Sequence, residues 1–339
     1  VDAAPVSSFF LRDFIRGAFL MSDPIVVRRA ELRPVLQKAL DFAADQSRRL
    51  LKEHPGYAPM YTVGGRWGRE GESWTHWCEG FFPGILWQLH KQTGDAEWRE
   101  PAERYSKVLE PRRFDRNVHD LGFLFFSTYL RWYRATGDSA LGQVLIDAGR
   151  TLALRRQKGG YLASFLGPSS LFIDIMMNVG IIQWAANATS DDDLRRIALE
   201  HSRTSARYLV RPDGGTAHEA IFDVETGEFL RESTQQGWNA ASTWSRGLAW
   251  ALYGFTAMFR LSGERDFLDT ARRCADFYLR RTPEGLVPYW DYDIPAKAPQ
   301  YWDSSAAAIA ASGLWDLGEA VTEAAARERY HLAALTILQ

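Results

Sequence analysis

His119 to Arg155 reads HDLGFLFFSTYLRWYRATGDSALGQVLIDAGRTLALR, and it holds two helices of different kinds. Leu121–Tyr133 is apolar almost all round, a pattern a helix sustains only when every side of it is buried. Ala135-Thr136-Gly137-Asp138 then punctuates the run. Glycine suits the left-handed position just past a helix end, and an acid favours the first turn of the next helix. From Ser139 to Arg155 the apolar residues Leu141, Val144, Leu145, Ala148 and Leu152 form one stripe with charge elsewhere, which marks a helix with one wet face. A buried helix, a glycine turn and a half-wet helix are the unit in which the rest of the chain is written.

The unit recurs. Gln92-Thr93-Gly94-Asp95 and Leu261-Ser262-Gly263-Glu264 repeat the turn, with Asn187 to Asp191 and Leu317-Gly318-Glu319 as looser versions. Leu32–Lys52, Ala96–Leu109, Asp191–Val210, Glu264–Arg281 and Glu319–Leu338 read as further half-wet helices. Phe81–Leu89, Phe172–Ala186, Leu248–Phe259 and Ala306–Leu317 read as further buried ones. Alternation of the two kinds predicts two concentric rings, an all-α (α/α)6 barrel, with a catalytic domain over 32–339 behind an N-terminal extension at 1–31. Six outer and five inner helices are expected. A closed ring wants one more inner helix, and the chain stops at Gln339 without it. A straight solenoid of helix pairs is the alternative, although its two helix types need not differ so sharply. Thr216–Phe222 and Glu228–Gln235 flank Glu225-Thr226-Gly227 as a β-hairpin, and Pro283–Trp302 forms a second long loop. Both are long enough to cover a barrel mouth.

Composition removes several classes of function. Lys and Arg number 40 against 42 Asp and Glu, a net charge of −2, so no basic surplus points to nucleic acid or an anionic membrane. Hydrophobic residues make up 46% of the chain, yet no apolar run approaches the roughly 20 residues a bilayer span needs. Cys78 and Cys274 are too far apart in sequence for a zinc or redox motif. The address stays open: Phe9–Leu20 is a poor signal core because Arg and Asp interrupt it, which favours the cytoplasm over periplasm or secretion. The 13 tryptophans are a heavy load, some of them suited to flat walls for sugar rings and most of them expected in the core.

If the inner helices run parallel, their N-termini gather at one end. Trp74, His76, Trp77 and Glu79 precede the first. His119-Asp120 opens the second, and Asp174 with Asn178 lies in the third. Gln236, Trp238, Trp244, Ser245 and Arg246 lead into the fourth, and Trp302-Asp303-Ser304-Ser305 into the fifth. Converging N-termini favour an anion. Any one of these acids could simply cap its helix. Asp174 is the hardest to dismiss. It lies in Leu171-Phe172-Ile173-Asp174-Ile175-Met176-Met177 with no Lys, Arg or His between Lys158 and Arg195, so a raised pKa suited to general-acid work is expected. Asp120 would complete a carboxylate pair. Arg246 at the start of a buried helix requires an acidic partner, within the protein or on a ligand. His218-Glu219 lacks the second histidine of a metalloprotease motif, so no metal is expected.

Trp77-Cys78-Glu79-Gly80-Phe81-Phe82-Pro83-Gly84, His119-Asp120-Leu121-Gly122-Phe123 and Asp174-Ile175-Met176-Met177-Asn178 together resemble glycoside hydrolase family 88. His218, the Gln236–Trp250 block and Trp302-Asp303-Ser304-Ser305-Ala306-Ala307 extend the resemblance. That family contains the unsaturated glucuronyl hydrolases, and the resemblance implies an (α/α)6 barrel without metal or organic cofactor. It implies a partner too: oligosaccharides left by polysaccharide lyases, from which the non-reducing-end 4,5-unsaturated uronic acid is removed by protonation at C4 and addition of water at C5. By position Asp174 resembles the proton donor and later base, and Asp120 the second essential carboxylate. Trp77 and Trp250 resemble stacking walls, His119 a packing neighbour, and His218, Gln236 and Arg246 the polar shell around the uronate and water.

Two other readings compete. A sugar 2-epimerase on the same barrel would rely on paired histidines, and only His119 and His218 stand near the expected mouth. A non-catalytic carbohydrate-binding toroid would keep Trp77 and Trp250 but has no need of both Asp120 and Asp174.

Overall fold

The structure is a computed structural model that describes residues 24–68 and 73–339, with the backbone alone for Ser73, Trp74 and Thr75. Among the described residues the helices alternate between two layers. The outer layer comprises α1 (Pro24–Glu53), α3 (Ala96–Val108), α6 (Ser139–Ala153), α8 (Asp192–Tyr208), α10 (Arg265–Arg281) and α12 (Ala324–Ile337). The inner layer comprises α2 (Phe81–Thr93), the pair α4 (Leu121–Ser127) and α5 (Tyr129–Thr136), α7 (Gly180–Thr189), α9 (Ser245–Ser262) and α11 (Ser304–Ala320). Each inner helix packs on the outer helix that follows it, and α1 packs against α12 to bring the outer layer round on itself. The fold is an (α/α)6 barrel.

Burial explains the layering. In α7 every residue from Gly180 to Ala186 is buried. In α8 only Leu194, Ala198, His201, Ser202 and Ser205 are, one stripe at helical spacing. Leu86, Leu124, Phe125, Ile181, Phe255 and Leu314 are sealed completely between the layers, each contributing roughly 1.5–3 kcal/mol by leaving water. The turn signals behave as read: Gly94, Gly137 and Gly263 all adopt the left-handed conformation at helix ends, and Asp138 and Asp191 cap the helices they precede.

Four expectations need correction. Residues 24–31, read as extension, form the first turns of α1, while 1–23 and Trp74's side chain lie outside the described residues. Leu317-Gly318-Glu319 does not interrupt α11, which runs on to Ala320, and the His331 ring of α12 packs where a Cβ on Gly318 would stand. Leu121–Tyr133 is not one helix, since Thr128 breaks it into α4 and α5. Most consequential, Phe172–Ala186 is not one helix either. Ser170–Phe172 is a strand, Ile173–Met177 a 3-10 turn, and only then does α7 begin.

Strands β1 (Thr62–Val63) and β2 (Arg66–Trp67) form a small exposed hairpin. The mouth carries a three-stranded antiparallel sheet in the order β3 (Ser170–Phe172), β4 (Glu219–Phe222), β5 (Phe229–Ser233). The expected hairpin is β4–β5, and β3 is the strand that sequence missed. The sheet fixes the turn bearing Asp174 beside His218, because Phe172 pairs with Glu219 and Ile173 N–H donates to the His218 carbonyl at 3.0 Å.

Candidate active site

Asp120, Asp174, Arg246 and Asp303 stand at the N-terminal ends of inner helices or in the turn before α7, so one end of the barrel collects them. Asp120 immediately precedes α4 but makes no capping bond. Its carboxyl is free for other work. The Asp174 turn is clamped from two sides. Asn178 Oδ1 accepts the Phe123 N–H at 2.8 Å, and its Nδ2 donates to the backbone carbonyl of Asp174 at 3.2 Å. Gly122 permits this closeness: a Cβ there would stand 2.5 Å from the Asn178 Cα.

Two histidines serve the two acids in the same way. The Phe165 N–H donates to His119 Nδ1 at 3.0 Å, which leaves Nε2 to carry the ring N–H, 3.4 Å from Asp120 Oδ1. The Gln235 N–H donates to His218 Nδ1 at 2.9 Å, which leaves its Nε2 3.5 Å from Asp174 Oδ2. Phe172 lies between the rings, 5.8 Å from His119 and 4.5 Å from His218. Both histidines are buried.

The carboxyls nonetheless differ. Burial pushes the Asp120 carboxyl above the ordinary aspartate value, and the charge of Asp174 adds to it, against opposition from His119, Arg112 and Arg155. At Asp174 burial pushes in the same direction, but the His218 N–H facing it, together with His119, outweighs that, and the carboxyl ends below its ordinary value. The expectation of a raised pKa at Asp174 is therefore overturned. The local sequence is cation-poor, but the sheet brings His218 across from 44 residues away in sequence, a partner that local reading does not see.

Arg246 has found an internal acid. Its Nη1 donates to Asp303 Oδ2 at 2.8 Å and to Ser305 Oγ at 3.2 Å, its Nη2 donates to Gln236 Oε1 at 3.3 Å, and the guanidinium lies over Trp244. Asp303 also caps α11 by accepting the Ala306 N–H. Arg246 keeps 28% of its side chain exposed and lines a cavity of about 1040 Å3. Trp77, Phe81, Phe123, Trp250 and Ser305 share that lining, and the cavity runs inside the inner layer, with residues of α2, α4, α5, α9 and α11 on its wall. Gly122, Met176 and Met177, close in sequence to the two aspartates, belong to its lining, whereas Asp120 and Asp174 do not. Trp77 and Trp250 both pack on Phe123, at 5.3 and 5.0 Å. Trp290, from the long loop, joins this aromatic group.

All eight residues singled out from sequence thus gather at one end of the barrel. Glu79 and His76 are absorbed locally, with Glu79 paired to Arg112 at 2.5 Å. Sequence reading missed Phe165 and Phe172 beside the histidines, whereas Trp290 lies in the long loop and Asp303 at the helix start already noted. Phe165 alone left a hint, as an apolar residue in a Gly-Pro-Ser turn. Among the described residues no group of His, Cys, Asp and Glu is set to hold a metal, and no helix is long and apolar enough to cross a membrane.

The comparisons with known proteins agree in direction. A protein named unsaturated glucuronyl hydrolase, from Bacillus sp. strain GL1, is 37% identical over 274 residues, covering 77% of this chain and 72% of its own length. An unsaturated chondroitin disaccharide hydrolase from Streptococcus agalactiae is 31% identical, over 78% and 69% respectively. The crystal structure of the Bacillus enzyme matches with a TM-score of 0.83 at 33% identity, over 89% of this chain and 82% of that one. A mutant unsaturated glucuronyl hydrolase from Streptococcus agalactiae, complexed with dGlcA-GalNAc6S, matches with a TM-score of 0.75 at 25% identity, over 99% and 84%. The family model described as Glycosyl Hydrolase Family 88 matches residues 61–336. The chain belongs to glycosyl hydrolase family 88.

Proposed function

We propose that this chain removes a 4,5-unsaturated uronic acid from the non-reducing end of lyase-generated oligosaccharides. The observation that carries the reading is the pair Asp120 and Asp174: two buried carboxyls at one mouth, displaced in opposite directions and feeling each other's charge. Such a pair holds a single proton over the pH range between its two titrations. Burial and the charge of Asp174 favour keeping that proton on Asp120.

The chemistry needs one acid and then one base. A bound uronate places its own carboxylate near Arg246, whose contact with Asp303 leaves part of the guanidinium facing the cavity. The added negative charge and the loss of water both favour the protonated form of Asp174, which takes up the pair's one proton as Asp120 gives it up. Asp174 then delivers the proton to C4, and the C4=C5 electron pair forms the new C–H bond. Positive charge develops at C5 and the ring oxygen. Water adds its oxygen to C5 and yields a proton to the Asp174 carboxylate, which is acid again. The hemiketal opens by breaking the bond from C5 to the ring oxygen, leaving a ketone at C5. The hemiacetal at C1 then releases the next sugar with its hydroxyl and leaves an aldehyde. Trp77 and Trp250 offer flat faces to the ring, and Asp120 holds its hydroxyls.

The 2-epimerase reading needs histidines turned toward a sugar. Here both Nδ1 atoms accept backbone N–H groups and both Nε2 atoms face carboxylates. The test is direct: incubation with an unsaturated glycosaminoglycan or gellan disaccharide should abolish the ultraviolet absorbance of the conjugated double bond. Retained absorbance with sugar still bound would instead support a binding toroid.

A further inference from the structure

Glu219 takes no part in the chemistry above, yet it is 1% exposed. Successive residues of a strand face opposite sides, so it turns away from the mouth that the preceding His218 faces. Its two oxygens reach into different halves of the site. Oε1 accepts the Ser170 hydroxyl at 2.6 Å, and Ser170 Oγ in turn accepts the Ser164 hydroxyl at 2.7 Å. Ser164 is the residue before Phe165, whose N–H holds His119. Oε2 accepts the side-chain amide of Gln235 at 3.0 Å, and it is the Gln235 backbone N–H that holds His218. The loops carrying the two histidine locks therefore share one buried anchor.

We propose that Glu219 is a positioning residue that sets both carboxylate–histidine pairs at once, through Ser164–Ser170 on the Asp120 side and Gln235 on the Asp174 side. The proposal rests on the functional reading given above and deepens it. A buried carboxylate met by neutral donors is costly to keep unless every acceptor is used. Here both oxygens are used: one use ends at Gln235, which orients His218, and the other at Ser164, next to the Phe165 that orients His119.

The branches are separable. Ser170→Ala cuts only the first, Gln235→Ala only the second, and Glu219→Leu cuts both. If the single-proton form of the pair is the active one, Asp174 sets the acid limb of the kcat/KM profile and Asp120 the alkaline limb. Loosening a histidine withdraws a donor from its carboxylate and raises that carboxyl's pKa. Ser170→Ala is expected to move the alkaline limb to higher pH and to shift only the His119 ring nitrogens by 15N NMR. Gln235→Ala is expected to move the acid limb to higher pH and to shift only those of His218. Glu219→Leu is expected to move both limbs and both signals, with kcat down roughly tenfold or more. Glu219→Gln should recover most of that loss, since the Gln235 amide can turn to accept. The proposal is overturned if folded Glu219→Leu leaves both histidine signals unchanged, or if each single-branch variant moves both limbs alike. The nitrogen signals need no substrate. A wild-type protein that turns over no unsaturated disaccharide would sink the functional reading while leaving this test intact.

Discussion

His218 Nε2 lies 3.5 Å from Asp174 Oδ2 while its Nδ1 accepts the Gln235 N–H at 2.9 Å. The imidazole can therefore only donate toward the acid. That one-way relationship explains how a carboxyl buried among Ile173, Ile175 and Met176 titrates below an ordinary aspartate. Replacing the ring by His218→Phe keeps the packing on Phe172 and removes the donor. The acid limb of the kcat/KM profile is expected to move to higher pH, with the alkaline limb unchanged. An unmoved acid limb would show that the ring does not govern Asp174.

Asp174→Asn keeps the shape of the turn and removes the proton. Loss of a general acid typically costs 10²–10⁴-fold in rate. Turnover is expected to fall by about that much, while affinity for the unsaturated disaccharide, measured by tryptophan quenching, changes less than about threefold. Near-normal turnover would place the proton elsewhere.

Asp120 makes a prediction about stability. Its folded-state pKa is raised, chiefly by burial, so the folded protein holds this proton more tightly than the unfolded chain does. The stabilising contribution is full below the unfolded value and is lost as pH rises through the folded one. Asp120→Asn has no such dependence. Its Tm relative to wild type is expected to climb as pH rises above about 4, the ordinary aspartate range. A pH-independent difference would contradict the assignment.

Asp303 does two jobs that substitutions separate. Asp303→Asn keeps an oxygen to cap α11 but withdraws the charge from Arg246, and KM is expected to rise about tenfold, the scale of a charged contact worth about 1.4 kcal/mol. Asp303→Ala also loses the cap and should be less stable than the Asn variant by about 1 kcal/mol, read from denaturant titrations. Equal stability of the two variants would remove Asp303 as the cap.

Gly122→Ala would set a Cβ 2.5 Å from the Asn178 backbone. Overpacking of this kind costs about 1–3 kcal/mol, and here it also parts α4 from the Asp174 turn. A lowered Tm with kcat reduced more than KM is expected. Wild-type kinetics would show that the clamp is dispensable.

The barrel was legible because helical period and residue type coincide. The continuous apolarity of Leu248–Phe259 and the single stripe of Ser139–Arg155 assign each helix to its layer before any contact is seen. Short-range exceptions were not legible. Leu171–Met177 is as apolar as a buried helix, and periodicity cannot separate a strand followed by a 3-10 turn from one more helical turn. The candidate residues could be grouped from sequence because most of them stand at helix starts, whereas the titration of Asp174 was misread. The deciding neighbour, His218, is brought near by strand pairing, a long-range fact. Asp303 likewise looked like a cap, which it is, and its second role toward Arg246 is visible only when α9 and α11 are side by side.

Two buried acids of opposite displacement sharing one proton are the centre of the proposed chemistry. A 13C NMR titration of the aspartate carboxyls in the substrate-free protein, with Asp120→Asn and Asp174→Asn used to assign the two signals, measures this without reference to turnover. The account predicts that Asp174 titrates below an ordinary aspartate and Asp120 above it. Two ordinary titrations, or the reverse order, would contradict it.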